Sequence, residues 1–363
     1  MPDLGSSHRF EFFPSLAALP EDSARLWRSD SVDSYFLSRG WFDCLVAAGL
    51  DPGDAVAIGA LQSADGRVLA LLPARFTGEG GSKGRLRGLT GMYACLYRPI
   101  LSPEGSTEGV ARSLGLHLGQ ALSSRGSVAL DALDAEWPGW SPFESGLRAA
   151  GFSSFRYAHF GNWSEPIGDR SFEQYLAARP GALREIVRRR QRALAQSGVR
   201  YAVIASQEGL DEAIADYEAI YARSWKPEEP YPRFHDRLMR VAAGDGALRL
   251  GLCYVGEQPA AAQIWIVWRR VATVLKLAHD QAFDRYSPGS VLLAHMIRHV
   301  LERDAVAEID FGRGDDPYKR DWATRRRQRI GLHAVNPRSP AGIAVLLRHY
   351  LGRGLAAFRG WRG

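Results

Sequence analysis

From Val271 to Trp322 the chain reads VATVLKLAHDQAFDRYSPGSVLLAHMIRHVLERDAVAEIDFGRGDDPYKRDW, and this stretch limits the fold more than any other. It predicts a strand, an SPG turn, a helix, a second strand, a Gly-Asp loop and a short helix. A strand that crosses through a helix to another strand belongs in an α/β sheet. Over Pro288–Arg303 the apolar residues Leu292, Leu293, Met296, Ile297, Val300 and Leu301 fall on one side, leaving His295, Arg298, His299 and Glu302 outward. That pattern is a helix packed one-sidedly on a sheet.

The turn itself carries chemistry. Ser287 is placed as an N-cap, Pro288 suits the first helical position, and Gly289 and Ser290 present NH groups at the positive end of the helix dipole. A pyrophosphate fits such a start, and so does a well-capped helix with no ligand. On the preceding strand, alternation puts Lys276, Ala278 and Asp280 on one face and Leu275, Leu277 and His279 on the other. Lys276 and Asp280 form one polar site or a solvated strand face. After the second strand, Asp310 and Phe311 lead into a turn that Gly312 and Gly314 permit, and Asp316-Pro317 starts a helical turn. Tyr318 and Lys319 then emerge at the strand ends, where open α/β sheets bind ligands. Tyr318 could protonate a thiolate leaving group and Lys319 could hold a phosphate or carboxylate, unless Tyr318 and Trp322, four apart, merely pack together.

With 363 residues, 46% of them hydrophobic, the chain has core enough for two domains. AVAIGALQSADGRVLALLPARF reads as two strands around Asp65-Gly66, and LRLGLCYVGEQPAAAQIWIVWRR as two around Gly256–Pro259. Each pair is followed by further alternation of strand and helix, so two similar modules are expected, parted in the polar stretch SEPIGDRS. Leu210, Ile214, Tyr217 and Tyr221 recur at helical spacing and stop before Pro227. Cys44, Cys95 and Cys253 are scattered, which suggests neither a disulfide framework nor a thiolate metal site. No stretch approaches the roughly 20 apolar residues of a spanning helix, and the N-terminus has no secretory pattern, so a soluble, cytoplasmic protein is expected. Phosphate-loop, nucleophile-elbow, zinc-helix and dinucleotide fingerprints are absent from the sequence.

The net charge of +6 is unevenly spread. Two basic segments, REIVRRRQR from Arg184 to Arg192 and RDWATRRRQR from Arg320 to Arg329, raise the concentration of anionic partners around them. In the first, Leu183, Ile186, Val187 and Leu194 give a helix its apolar side, and arginines four apart repel unless an anion relieves them.

Several pieces now occur in order: ALREIVRRRQRAL, SWK, HDQAFDRYSPGSVLL and IDFGRGDDPYKRDW. Residues 170 to 335 thereby resemble the BioF2-like acetyltransferase domain of the GNAT superfamily, the group that includes CelD/BcsL-type proteins and is related to the Fem peptidoglycan aminoacyl ligases. GLTGMYACLYRPI, VALDAL and GNW resemble the region that precedes it, so the similarity extends to about Pro337. The resemblance implies an α/β (α+β) chain of tandem GNAT-like folds with mixed central sheets flanked by helices. A first module would span 1–165, the BioF2-like domain 166–337 and a basic tail 338–363.

Carried over by position, the matching residues are Ser224, Trp225, Lys226, Asp280, Pro288, Gly289, Asp310, Gly314, Tyr318, Lys319 and Trp322. His279 departs from the pattern, standing where an aromatic residue usually precedes the aspartate, and the SPG turn lacks the RxxGxG loop of ordinary GNAT enzymes. The implied reaction moves an acyl group, acetyl first, from acyl-CoA to an amine or hydroxyl, with no metal. Asp280, Tyr318 and Lys319 would be catalytic. Ser287, Pro288, Gly289, Ser290 and Gly314 would hold the donor, and Trp225, Lys226, Lys276 and Trp322 the acceptor. The acceptor would be a small molecule or a glycan or peptidoglycan precursor in polysaccharide or cell-envelope metabolism. An aminoacyl-tRNA-dependent transfer of the Fem type and a non-catalytic binding module are the alternatives.

Overall fold

The computed structural model describes residues 8–78, 85–123, 126–195, 198–339 and 342–343. Contacts divide the chain into two compact units, one from Met1–Val32, Leu50–His159 and Arg329–Gly363 and the other from Asp33–Gly49 and Phe160–Gln328. Of the basic tail expected over 338–363, only Arg338, Ser339, Gly342 and Ile343 are among the described residues.

The first unit is built on the hairpin read around Asp65-Gly66. Strands β2 (Ala55–Gln62) and β3 (Val68–Thr77) pair antiparallel, with Gly66 at φ +84°, a conformation glycine adopts without strain. The strand β1 (Arg9–Phe13) lies antiparallel against β2, and β4 (Arg85–Gly88) and the short β5 (Ile100–Leu101) against β3. Next comes β6 (Ser127–Asp134), parallel to β4, and then the residues from Arg329 onward of β13 (Arg325–Val335), antiparallel to β6. The sheet is mixed. A short helix α1 (Ala24–Trp27) and the pair α3 (Thr107–Ala121) and α4 (Trp140–Ala149) complete the unit. The two longer helices touch backbone to backbone: a Cβ on Gly115 would come within 2.0 Å of the Phe143 carbonyl oxygen, and one on Gly146 within 2.0 Å of that of Arg112.

The second unit is mixed as well. Its order is β7 (Ser153–Pro166, from Phe160 onward), β12 (Glu308–Arg313), β11 (Val271–His279), β10 (Gln258–Trp268), β9 (Leu248–Val255) and β8 (Val199–Ile204). Among these, β11 and β12 are parallel, as their helical crossover requires, and the pairs β7–β12, β10–β11, β9–β10 and β8–β9 are antiparallel. That crossover is α9 (Pro288–Arg303), which buries Leu292, Leu293, Met296, Ile297 and Val300. With α5 (Phe172–Ala177) and α6 (Gly181–Ala195) it covers one face of the sheet around Trp265, Phe311 and Trp322. The other face carries α7 (Leu210–Ala222) and α8 (Pro232–Gly244), with α2 (Arg39–Ala48) against α8 through the edge-to-face pair Trp41 and Phe234. His295, read as outward, is instead half-buried and stacked on Tyr201 at 4.3 Å.

Candidate functional site in the second unit

Strands β11 and β12 part company early. Val271, Ala272 and Thr273 face Glu308, Ile309 and Asp310, and the ladder then stops, although β11 continues to His279 and β12 to Arg313. The opening this leaves lies at the carboxyl ends of a parallel pair, with a loop rising from each strand.

The loop after β12 is held from below. Buried Asp310 accepts from the Gly312 NH at 2.7 Å, from Asn162 Nδ2 at 2.6 Å and from Arg327 Nη2 at 2.8 Å. Lys319 does not reach out of this loop. Its buried ammonium donates to the carbonyls of Arg313 at 2.7 Å and Gly314 at 3.3 Å and pairs with Asp316 at 2.9 Å, so it closes the turn that Gly314, at φ +102°, makes possible. Trp322 is 3% exposed and packs in the core, and its carbonyl accepts from Tyr175 Oη and Arg179 Nη1. Placed there, it is out of a substrate's reach. Tyr318 is half-buried against the same core, and burial, helped by Asp316, pushes its phenol up, so it stays protonated at neutral pH.

The helix start after β11 is narrower than its sequence implies. Ser287 adopts a left-handed conformation (φ +50°, ψ +50°) and its side chain makes no cap bond. Its carbonyl takes the NH groups of Ser290 at 3.1 Å and Val291 at 3.2 Å, and Pro288 has no NH. Of the expected cradle, the Gly289 NH is left for an anion. Gln263 Nε2 holds the Gly289 carbonyl at 2.9 Å, and a Cβ at Gly289 would stand 3.3 Å from His279 Nδ1.

On the α7 and α8 side lies a cavity of about 430 Å³, lined by Tyr217, Tyr221, Lys226, Glu228, Glu229 and His235 among others. Lys276 of β11 pairs with Glu229 and lies 5.2 Å from the centre of the Tyr221 ring, while Tyr221 Oη also donates to Glu229. Asp280 binds Arg223 Nε at 2.5 Å and the Ala282 NH at 2.9 Å. Lys276 and Asp280 thus share a strand face, yet each is matched by the segment around the end of α7 and not by the other. Burial pushes the Asp280 carboxyl up, but the Ala282 and Arg223 hydrogen bonds outweigh it and hold the carboxyl below its ordinary range.

Lys226 lines the cavity and has no ion pair among the described residues. Burial and then the neighbouring charge of Lys276 push its ammonium down, with Asp316, Glu229 and Lys319 also within electrostatic reach. Trp225 beside it is half-exposed and rests on the His279 ring at 4.5 Å. His235 is a residue that sequence reasoning passes over: it stands in the apolar stripe of α8 with Phe234, Leu238 and Met239, which reads as core. Burial pushes its imidazole down to about 4, so it is neutral at physiological pH.

Around the opening, α6 buries Leu183 and Val187, whereas Ile186, counted toward its apolar side, is 39% exposed. The side chain of Leu194 lies outside the described residues. Arg188, Arg189 and Arg192 are exposed and have no ion pair among the described residues; Arg190 donates to the Arg285 carbonyl. Among the described residues no cluster of three His, Cys, Asp or Glu could hold a metal ion, and no helix is long and apolar enough to cross a membrane.

Residues 181–320, which contain the opening, the cavity and α6, match the family described as acetyltransferase (GNAT) domain. Solved structures similar to the chain include FemX (TM-score 0.60, 11% identity, covering 87% of this chain and 96% of that one). A tandem GNAT protein from the clavulanic acid biosynthesis pathway is similar with TM-score 0.53 and 11% identity over 92% of this chain and 99% of that one. L-PGS from Bacillus licheniformis is similar with TM-score 0.50 and 12% identity over 85% and 96%. At such identities the likeness is one of fold, and the fold is that of tandem GNAT proteins. No curated protein sequence matches the chain significantly.

Proposed function

We propose that the second unit is an acyltransferase that accepts an acyl thioester, acetyl-CoA first, at the opening between β11 and β12 and passes its acyl group to an acceptor in the neighbouring cavity. The early end of the β11–β12 ladder carries this reading, because it opens the sheet ahead of a helix start, and Lys276 beyond the last rung of β11 pairs with Glu229 of the cavity lining. The match to the acetyltransferase (GNAT) domain supports it. The narrower BioF2-like kinship and a role in polysaccharide or cell-envelope metabolism remain part of the proposal.

In this reading the acceptor's amine or hydroxyl attacks the thioester carbonyl carbon, the new C–N or C–O bond forms, the C–S bond breaks, and the nucleophile's proton leaves through the open cavity to solvent. Backbone NH groups at the opening stabilise the oxyanion. The protonated Tyr318 phenol gives a proton to sulfur, and the phenolate so formed regains one from solvent, which balances the proton that the nucleophile released. Asp280, with its carboxyl held low, is a poor proton acceptor and instead fixes Arg223 and the turn into α9. The Gly289 NH is the anchor offered to a donor phosphate.

Calorimetry with acetyl-CoA tests the donor. Wild-type chain should bind it saturably, and Gly289→Asp, which sets a carboxylate at that NH, should lower affinity by about tenfold or more, the order of a hydrogen bond to a charged group. Equal affinity of both proteins would remove the helix start from the site.

The solvent-facing arginines of α6 favour a second reading, in which the donor is an aminoacyl-tRNA. Its mark would be binding that weakens steeply with salt, since each phosphate contact releases counterions.

A further inference from the structure

The chain has four lysines, Lys83, Lys226, Lys276 and Lys319, among 46 basic residues, so 42 are arginine. A sequence so strongly disposed to arginine nevertheless gathers three of the four: Lys226 lines the cavity, and Lys276 and Lys319 both lie within its electrostatic reach. Two of the three have internal work. Lys276 neutralises Glu229, and Lys319 closes the loop after β12 on two carbonyls and Asp316. Lys319 uses its ammonium as a compact point charge that meets two carbonyls and a carboxylate at once. Lys226 has the same company and no anion of its own.

A half-buried ammonium with no ion pair of its own is costly, and Glu229 and Asp316, already paired with the other two lysines, offset only part of that cost. An anion supplied from outside would remove that cost. The remaining lining is of opposite character: Glu218 and Glu228 are exposed carboxylates with no ion pair among the described residues, and Tyr217 and Tyr221 are aromatic lining residues, the Tyr221 ring already facing the Lys276 ammonium. Exposed carboxylates in the lining suit an ammonium group, while Lys226 suits a carboxylate or phosphate.

Resting on the acyltransferase reading above, we infer that the acceptor is an amine that also carries an acidic group, and that Lys226 is the residue that selects it by binding that group. Lys226 is a specificity-determining residue in this arrangement, and it takes no part in the proton transfers.

Matched pairs of small amines test the inference with the full chain: β-alanine against β-alaninamide, and 2-aminoethyl phosphate against ethanolamine. Thiol release from acetyl-CoA and calorimetric binding are both read. The acidic member of at least one pair should be preferred by about tenfold or more, as expected for a hydrogen bond between charged groups. Which pair responds separates carboxylate from phosphate. Lys226→Met should abolish the preference by weakening the acidic member alone, and Lys226→Arg should fail to restore it because the guanidinium does not fit where the ammonium does. Acetyl-CoA binding should be unchanged in both variants, which also shows that they fold. Equal use of acidic and neutral members, binding of neither, or full recovery in Lys226→Arg would each overturn the inference. If acidic amines bind through Lys226 while acetyl-CoA does not bind the wild type, the acceptor assignment stands and the donor reading falls.

Discussion

The pentapeptide Arg-Arg-Arg-Gln-Arg occurs twice in this chain, at 188–192 and at 325–329, and the two copies have opposite fates. In α6 the helical period spreads the arginines over the solvent side, and Arg188, Arg189 and Arg192 meet no carboxylate among the described residues. In β13 alternation sends Arg327 and Arg329 to one face and Arg326 to the other, and each finds an acid. Arg327 pairs with Asp310 at 2.8 Å and Glu308 at 2.9 Å and donates to Asn162 Oδ1, Arg326 pairs with Asp315 at 2.6 Å, and Arg329 pairs with Asp134 at 3.2 Å. A run of like charge is therefore an interaction surface in one backbone and an internal fastening in the other. Both segments carry the same expectation from charge alone. What separates them is the supply of carboxylates where the backbone aims the side chains.

That contrast can be broken by single substitutions. Arg327→Ala strips the buried Asp310 of its cation and should cost about 3 kcal/mol, near the lower end for breaking a buried pair because Arg327 is partly solvated; a urea unfolding curve within 1 kcal/mol of wild type would show that the fastening does not matter. Next in size is the effect of Arg188→Gln, Arg189→Gln and Arg192→Gln combined, which should weaken binding to tRNA by about tenfold at low salt and flatten its salt dependence. An unchanged slope would take α6 out of the partner surface and with it the tRNA reading.

Acid sharpens the comparison further. The Arg326 hydrogen bond, then that of Trp163, hold the Asp315 carboxyl below its ordinary range. Its folded value lies below its unfolded one, so the pairing contributes above the ordinary carboxylate range and fades as pH falls through the folded value. In Arg326→Gln the Asp315 resonance, followed by carbon NMR, should titrate closer to an ordinary aspartate, whereas the α6 triple variant should leave it where it is. The smallest effect expected is that triple variant's own stability. It should stay within about 0.5 kcal/mol of wild type, because exposed arginines four apart repel only weakly; a loss of several kcal/mol would mean that the helix relies on them.

Much of the fold could be read in advance. Both hairpins, α7 and α9 follow from periods of two and 3.6 with glycine or proline at their ends, and those rules are local. The site was legible by face and not by partner. Alternation places Lys276 and Asp280 on one side of β11, but it says nothing of Glu229 and Arg223, which come from a distant segment. Trp322 and Lys319 show the same limit: a four-residue helix has too little period to declare which side is buried. Ser287 looks like a capping serine, yet the turn from β11 forces it into the left-handed region, where its carbonyl and not its hydroxyl receives the helix NH groups. His235 sits among apolar neighbours in the sequence, and only the packing of α8 beside α7 puts it on a cavity wall.

By itself, then, the sequence determined which segments become strands and helices and that a parallel pair joined by α9 lies in the second half, because torsional preference and apolar period act within a few residues. The tertiary structure alone decided which charges are satisfied. It paired Arg326, Arg327 and Arg329 of one copy of the arginine pentapeptide with acids and left Arg188, Arg189 and Arg192 of the other facing water, brought Lys276 and Lys319 within electrostatic reach of Lys226, and left Lys226 without an ion pair among the described residues. Coulomb energy depends on distance in space and on burial, and neither is fixed until segments far apart in the chain pack together.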